Sequence, residues 1–308
     1  MSIDITIKQT NLIKKTLPLE VITGNVLAYG EYKYDHLEPD SIGNGEIVLY
    51  DPSRIGRGFS VTWTPKEKKA ISLRLIHPTT KEELRAFCDT VERIANSWTN
   101  TRIKVDGVRT SLADFLASFD DMVEFNEKTL AFFCRKVING EHNDLALHSA
   151  LWLLFLDHDN AKIFMDSPES FGDWLHTKQT AANVYNSPML WGTQESPIGV
   201  YAFVGDCRYI MPKSPSIPFG MVFSGGGKIN CNVWKVILPQ KTTDADQMVA
   251  DYSKYVTADY FRFLDIIPED RISEYDSNHI LIEPFTDQEL LLLIDKLDEQ
   301  GYVDHQTY

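Results

Sequence analysis

Ile3, Ile5 and Ile7 alternate with polar residues at the start of the chain, the period-two signature of a half-buried strand. Glu46 to Tyr50, Phe59 to Thr64 and Ile71 to Ile76 read as further strands. Asp51-Pro52 and Thr64-Pro65-Lys66 punctuate them, which predicts an antiparallel meander. From Thr80 to Asn96 the period lengthens, and Leu84, Phe87, Cys88, Val91, Ile94 and Ala95 keep to one face of a helix. Helical patterns dominate from Ser111 to His176. One carries Leu112, Phe115 and Leu116; another carries Leu130, Phe133, Cys134 and Val137 and ends at Asn139-Gly140. Leu145 to Leu156 is almost continuously apolar over 12 residues, and that length predicts a helix. Strands return after Asn183, at Gly199 to Val204, Cys207 to Met211, Met221 to Ser224 and Asn230 to Leu238. Pro212, Pro215 and Pro218 exclude a regular element between them.

The pattern predicts an α+β protein of antiparallel sheets packed with helices, in three parts. Residues 1–110 form an N-terminal α+β half, 111–182 a mainly helical middle and 183–308 a C-terminal α+β half. A weak repeat runs through it. Ser72 to Ile76, Pro78 and Thr80-Lys-Glu-Glu83 give an apolar strand, a proline stop and a Thr-x-x-Glu helix start. Ile280 to Ile282, Pro284 and Thr286-Asp-Gln-Glu289 repeat the order, and Val233 to Pro239 with Thr243 to Asp246 follows it more loosely. In such a start the threonine hydroxyl accepts from the N–H three residues on, and the acid reaches back to the threonine N–H. Two readings stand: a duplicated strand–helix unit giving two similar halves, or a vocabulary common to α+β proteins.

Charge narrows the partners. Thirty Lys and Arg face 44 Asp and Glu, a formal net charge of −14. Nucleic acids and anionic membranes are held by basic fields that neutralise phosphates, so neither is expected. An acidic protein steers instead toward a basic protein partner. The charge is uneven: residues 249–308 carry 14 acids and 4 bases, whereas 52–85 carry 3 acids and 8 bases. No apolar run approaches the roughly 20 residues of a membrane span. The first residues lack the basic and apolar regions of a secretory leader, so a cytoplasmic location is expected. Cys88, Cys134, Cys207 and Cys231 are scattered without a C-x-x-C pair, which fits reduced thiols.

Candidate chemistry is sparse. Arg54, Gly56, Arg57 and Gly58 can gather two guanidinium groups and free backbone N–H groups around an anion. A glycine turn between two strands is the plainer account. Ser224-Gly225-Gly226-Gly227-Lys228 leads into a strand rather than the helix that a phosphate loop opens. His142, His148, His158 and His176 fall within 35 residues, beside Asp157 and Asp159. No compact ligand spacing joins them, so no metal site is expected, and no cofactor fingerprint or nucleophile elbow occurs. Trp174, Tyr185, Trp191, Tyr275 and Phe285 stand in loop-like stretches. They are candidates for a protein-binding surface, with core packing the default for each.

Tyr50-Asp-Pro-Ser-Arg-Ile-Gly56-Arg57-Gly58-Phe59, the strand from Ile71 and Pro78-Thr-Thr-Lys-Glu-Glu together resemble a family of bacterial proteins of about this length. The family is found mainly in Gram-positive genomes and is described as a domain of unknown function. Ile5-Thr-Ile-Lys-Gln9 is similar too. The resemblance implies a bacterial, cytoplasmic protein and brings no activity or functional residue with it. Two functional readings remain. One is a non-catalytic interaction or regulatory protein, immunity-like, with an acidic binding face. The other is an enzyme or small-molecule binder acting on an anionic ligand near the Arg54/Arg57 loop.

Overall fold

The computed structural model describes residues 1–43, 45–218, 221, 229–244 and 247–305. The chain divides into two units, Met1–Gln179 and Thr180–Tyr308. Helices pack with mainly antiparallel sheets in both, which makes the protein α+β.

The first unit is built on an eight-stranded antiparallel sheet. Its strands are β1 (Ser2–Gln9), β2 (Ala28–Lys33), β3 (His36–Pro39), β4 (Glu46–Tyr50), β5 (Phe59–Thr62), β6 (Ala70–Ile76), β7 (Thr101–Val105) and β8 (Val108–Thr110), in the order β3-β2-β4-β5-β6-β1-β7-β8. Helix α1 (Leu19–Thr23) follows β1, and α2 (Lys81–Trp98) follows β6. The period-two pattern decides which face is buried. Ile5, Ile7, Ile47, Leu49, Phe59, Val61, Ile71, Leu73, Leu75 and Ile103 join Leu84, Phe87, Val91, Ile94 and Trp98 of α2 in one core cluster. Full burial of such a side chain is worth about 1.5–3 kcal/mol in transfer free energy.

Next come α3 (Leu112–Ala117) and α4 (Phe119–Ile138), the hairpin β9 (Leu145–His148) with β10 (Leu153–Leu156), α5 (His158–Asp166) and α6 (Ser170–Thr180). The expected helix over Leu145 to Leu156 is therefore two antiparallel strands, with Leu145 opposite Leu156. Two short strands and their turn occupy the same 12 residues as three turns of helix, so length misled. The turn is held by the neighbouring sheet: Leu37 N–H donates to Leu151 O at 2.6 Å and Leu153 N–H to Asp35 O at 3.1 Å. These bonds tie the hairpin to β3. A small apolar cluster of Leu37, Tyr50, Ile55 and Ala150, with Tyr32 and Val48 packed on it, lies on the sheet face turned away from α2.

The second unit holds two sheets. One takes β11 (Val184–Tyr185), β14 (Tyr209–Pro212), β18 (His279–Ile282) and β17 (Ile272–Glu274), in that spatial order. The other takes β12 (Met189–Gly192), β13 (Pro197–Ala202), β15 (Val233–Asp244), β16 (Gln247–Asp259) and β19 (Val303–Asp304). Helices α7 (Tyr260–Ile266) and α8 (Asp287–Glu299) supply Phe263, Leu290, Leu293, Ile294 and Leu297 to a core with Tyr201, Phe203, Val236, Leu238 and Ile282.

The second unit corrects two expectations. The helix expected after Thr243 is replaced by the long β15–β16 hairpin, paired from Lys235 and Asp259 to Asp244 and Gln247. Val249, Tyr252, Tyr255, Val256 and Thr257 are β-branched or aromatic, and that composition suits a strand. The duplication fails with it: β4, β5 and β6 are antiparallel throughout, whereas β13 and β15 are parallel. What does recur is local, namely the strand, proline and capped helix at β6–α2 and at β18–α8. Ser224 to Lys228 lies outside the described residues, as does all of the strand expected from Met221 to Ser224 except Met221.

Candidate functional site

Thr80 and Thr286 are both N-caps, accepting from the N–H of Glu83 and Glu289. The two glutamates then part ways. Glu289 completes a capping box by accepting from the Thr286 N–H at 2.8 Å. Glu83 is buried and reaches the glycine loop between β4 and β5 instead. Its carboxylate accepts from the backbone N–H of Arg57 at 3.0 Å, from the N–H of Gly58 and from the hydroxyl of Thr79. The loop thus does hold an anion, and the anion belongs to the protein.

The glycines follow from this arrangement. Gly58 has φ +72°, and a Cβ there would meet Val48 Cγ1 at 2.6 Å. At Gly56 a Cβ would lie 2.6 Å from a Glu83 carboxylate oxygen. One face of α6 supports the loop from below, because Asp173, His176 and Gln179 recur at intervals of three. Arg54 Nη2 donates to Asp173 at 2.7 Å, the Ile55 N–H donates to His176 Nδ1 at 3.0 Å, and Gln179 Nε2 donates to Gly56 O at 2.7 Å. The Gln179 carbonyl accepts from the Leu151 N–H at 2.9 Å, which couples the loop to the β9–β10 turn.

Arg57 and Arg54 have opposite fates. Arg54 is exposed and pairs with an exposed aspartate. Arg57 is buried, with Nε donating to His148 O at 2.7 Å and Nη1 to Pro78 O at 2.9 Å. Among the described residues, Nη2 has no acceptor. Burial pulls its guanidinium down to about 10, while the nearby Glu83 charge acts in the other direction. It remains protonated at neutral pH. Burial also pushes the Glu83 carboxyl above its ordinary range, against the donors from Thr79, Gly58 and Arg57.

Arg57 forms part of the wall of a cleft of about 330 Å³ on the sheet face opposite α2. Tyr32, Val48, Phe59 and Ile76 give it apolar walls; Ser60, Arg74, Glu46, His148 and Ser149 give it polar ones. The Tyr32 and His148 rings meet edge-on at 5.7 Å. Burial raises the Tyr32 hydroxyl well above its ordinary value, with Asp35 adding to it, so the phenol stays protonated. His148 is exposed at the rim, yet crowding by the surrounding protein, and then the Arg57 charge, holds its imidazole below the usual range. Behind the cleft, Asn126 accepts from the Thr79 N–H at 2.7 Å, returns a bond to Thr79 O at 2.7 Å and meets His77 Nδ1 at 2.9 Å. The cis peptide between His77 and Pro78 lies in the same segment.

The remaining sequence candidates lie elsewhere. Trp174 stacks on Phe171 at 5.9 Å and meets Phe164 edge-on. Tyr275 and Phe285 are buried, and Phe285 lines a cleft of about 320 Å³ beside Arg271. Tyr185 packs on His279, and its hydroxyl is 3.4 Å from His279 Nε2. Trp191 lies against Tyr255. Of the clustered histidines, His148 and His176 meet the Arg57 loop, whereas His142 and His158 are exposed. Among the described residues, no group of three His, Cys, Asp or Glu side chains is placed to hold a metal ion. The four cysteines are free thiols, and no helix of the described residues is long and apolar enough to cross a membrane.

Fold and cleft together define an α+β protein whose glycine loop is locked by an internal carboxylate and offers one buried guanidinium to a cleft. The chain belongs to the DUF4299 family, a domain of unknown function, whose pattern matches residues 2–293. No curated protein and no solved structure matches the chain.

Proposed function

We propose that this DUF4299 protein binds a small anionic ligand in the Arg57 cleft. The observation that carries the reading is the guanidinium itself: buried, charged at neutral pH, committed to two backbone carbonyls, and with Nη2 left for the cleft. Buried charge is costly unless it is compensated, and a ligand carboxylate or phosphate would add to the compensation that Glu83 supplies. Arg74 and Ser60 are further donors, and Tyr32, Val48 and Ile76 offer a wall for an apolar body. Concave, largely apolar walls with a few polar groups suit small-molecule recognition. The test is calorimetric titration with a panel of carboxylates and phosphates. Arg74→Gln and His148→Ala should weaken binding without lowering the melting temperature. If no anion in the panel binds, the reading fails.

A second reading keeps one observation of its own. A regulatory or immunity-like role, with an acidic face meeting a basic protein, is supported by the 14 acids and 4 bases of residues 249–308. Such a complex should associate at a rate that falls steeply between low and physiological salt. A bacterial, cytoplasmic setting, without nucleic acid or membrane as partner, accompanies both readings. The family resemblance supports the setting, and the acidic balance supports the choice of partners.

A further inference from the structure

We propose that the anion site extends beyond the cleft along paired cations on the same sheet face, and that its ligand carries two or more phosphate groups. The proposal rests on the Arg57 reading. Strand register brings Lys8 directly opposite Arg102, and Lys104 directly opposite Arg109. Their strand neighbours Ile5, Ile7 and Ile103 belong to the core, so the four cations belong to the outward face. All four are exposed, and among the described residues none forms an ion pair. The nearby acids are engaged: Asp4 pairs with Arg74 at 3.6 Å, and the Asp106 carboxylate accepts from the Asp4 N–H at 2.9 Å.

Like charges directly opposite in adjacent strands oppose sheet formation. Charges on an edge strand guard it against pairing with another sheet. That accounts for Arg109 on the edge strand β8, but not for Lys8 and Arg102 on the interior strands β1 and β7. An anion shared by each pair relieves the repulsion. Opposed side chains start about 5 Å apart, and a phosphate monoester brings a charge of about −1.5 to −2 and three acceptor oxygens to such a pair. A carboxylate brings one charge and two oxygens.

Register also links the pairs to the cleft. Lys104 is opposite Thr6, Thr6 is opposite Ser72, and Arg74 stands two residues further along β6. Two strand spacings, about 10 Å, separate β7 from β6, so a ligand using both is extended. Thr6, Ser72 and the four cations include no aromatic ring, and single-stranded nucleic acids lean on aromatic stacking. A small oligophosphate fits better. Arg102 and Arg109 also border a cleft of about 610 Å³ that carries Asn96 and Asn100, whose amides can donate to phosphate oxygens.

The experiment is titration of the full chain with orthophosphate, tripolyphosphate and oligothymidylate at low salt. It is repeated on a variant carrying Lys8→Gln, Arg102→Gln, Lys104→Gln and Arg109→Gln. Tripolyphosphate should bind at least about tenfold tighter than orthophosphate, since linked groups raise effective concentration. The variant should remove that advantage while keeping the orthophosphate affinity and the melting temperature. Orthophosphate binding with no gain for tripolyphosphate, or a gain that survives in the variant, overturns the extended site and leaves the cleft reading intact. Binding of neither phosphate overturns the extended site, and the cleft reading then stands or falls on the carboxylates of the panel. Tighter binding of oligothymidylate than of tripolyphosphate overturns the ligand class.

Discussion

Glu83 turns its carboxylate away from the N-cap of its own helix and onto the backbone N–H of Gly58, 25 residues earlier in the chain. Glu289 holds the same place in the same motif and closes the capping box on Thr286. The difference is burial. Glu289 is half-buried and reaches both its own cap and the Arg271 guanidinium, whereas Glu83 is buried and turns its oxygens to the backbone of the loop that carries Arg57. One short motif thus serves helix initiation at one place and loop fixation at the other.

Truncation should separate these roles. Thr80→Ala and Thr286→Ala each remove one cap and should each cost about 0.5–2 kcal/mol. Glu83→Ala leaves two backbone N–H groups, the Thr79 hydroxyl and the Arg57 charge without their partner, and should cost about 3–5 kcal/mol. Urea unfolding of the three variants ranks them. A Glu83→Ala protein no less stable than Thr80→Ala would show that the loop and carboxylate are not coupled as described.

Backbone conformation gives an independent check. Gly58 and Gly107 both have positive φ, +72° and +81°. Alanine at Gly107 meets nothing within 4 Å and should lose about 1–2 kcal/mol from the left-handed conformation alone. Alanine at Gly58 adds a 2.6 Å approach to Val48 and one of 3.1 Å to the Leu49 carbonyl, so its midpoint should fall further. Equal losses at the two positions would mean that the loop has room the structure does not show.

Acid should weaken the first unit through His77. Burial holds its imidazole below the ordinary 6.5, outweighing the Asn126 hydrogen bond that favours the charged form. A folded value below the unfolded one means that the unfolded chain binds more protons just below 6.5. The stability is therefore whole above that value and lost as pH falls through the window. His148 is shifted in the same direction. Glu83 is shifted upward, so its contribution runs the other way, present below 4.5 and lost as pH rises. The urea midpoint should drop from about pH 7 to about pH 5, and His77→Gln should flatten part of that slope. A slope unchanged in the variant would assign the acid sensitivity to other groups.

Much of the first unit is legible in the sequence because its strands alternate and its long helix is amphipathic. Ile3, Ile5 and Ile7 point inward as their period requires, and α2 ends within two residues of the expected place. The β9–β10 hairpin was not legible, because β10 is apolar on both faces and β9 has four residues with one polar position, so periodicity carries no signal. The cleft was half legible. Arg57 and its glycines stand out as a motif, but Tyr32, Glu83, His148 and Gln179 come from four other segments, and only pairing across the fold brings them together. Glu83 carried one usable sign: it stands in a helix start whose neighbouring Thr79 adds a second hydroxyl. The direction in which its carboxylate turns depends on a loop 25 residues away.

The α6 supports should prove unequal despite lying on one helix face. Asp173 meets Arg54 where both are exposed, and such pairs contribute about 0.2–1 kcal/mol, so Asp173→Ala should scarcely move the unfolding midpoint. Gln179 is buried, and it serves the Gly56 carbonyl with its amide N–H and the Leu151 N–H with its carbonyl. Gln179→Ala strands the Leu151 N–H and leaves Gly56 O with only the longer bond from Ala150, and a buried group left unsatisfied costs about 1–3 kcal/mol. Because those two groups flank Arg57 in the loop and His148 in the turn, Gln179→Ala should also loosen the cleft. Its anion affinity should then fall together with its stability, whereas Asp173→Ala should bind as the parent does. Parent-like anion affinity in Gln179→Ala would mean that Arg57 is held by Glu83 through its backbone and by His148 and Pro78 through its guanidinium, and that α6 supports the fold but not the site.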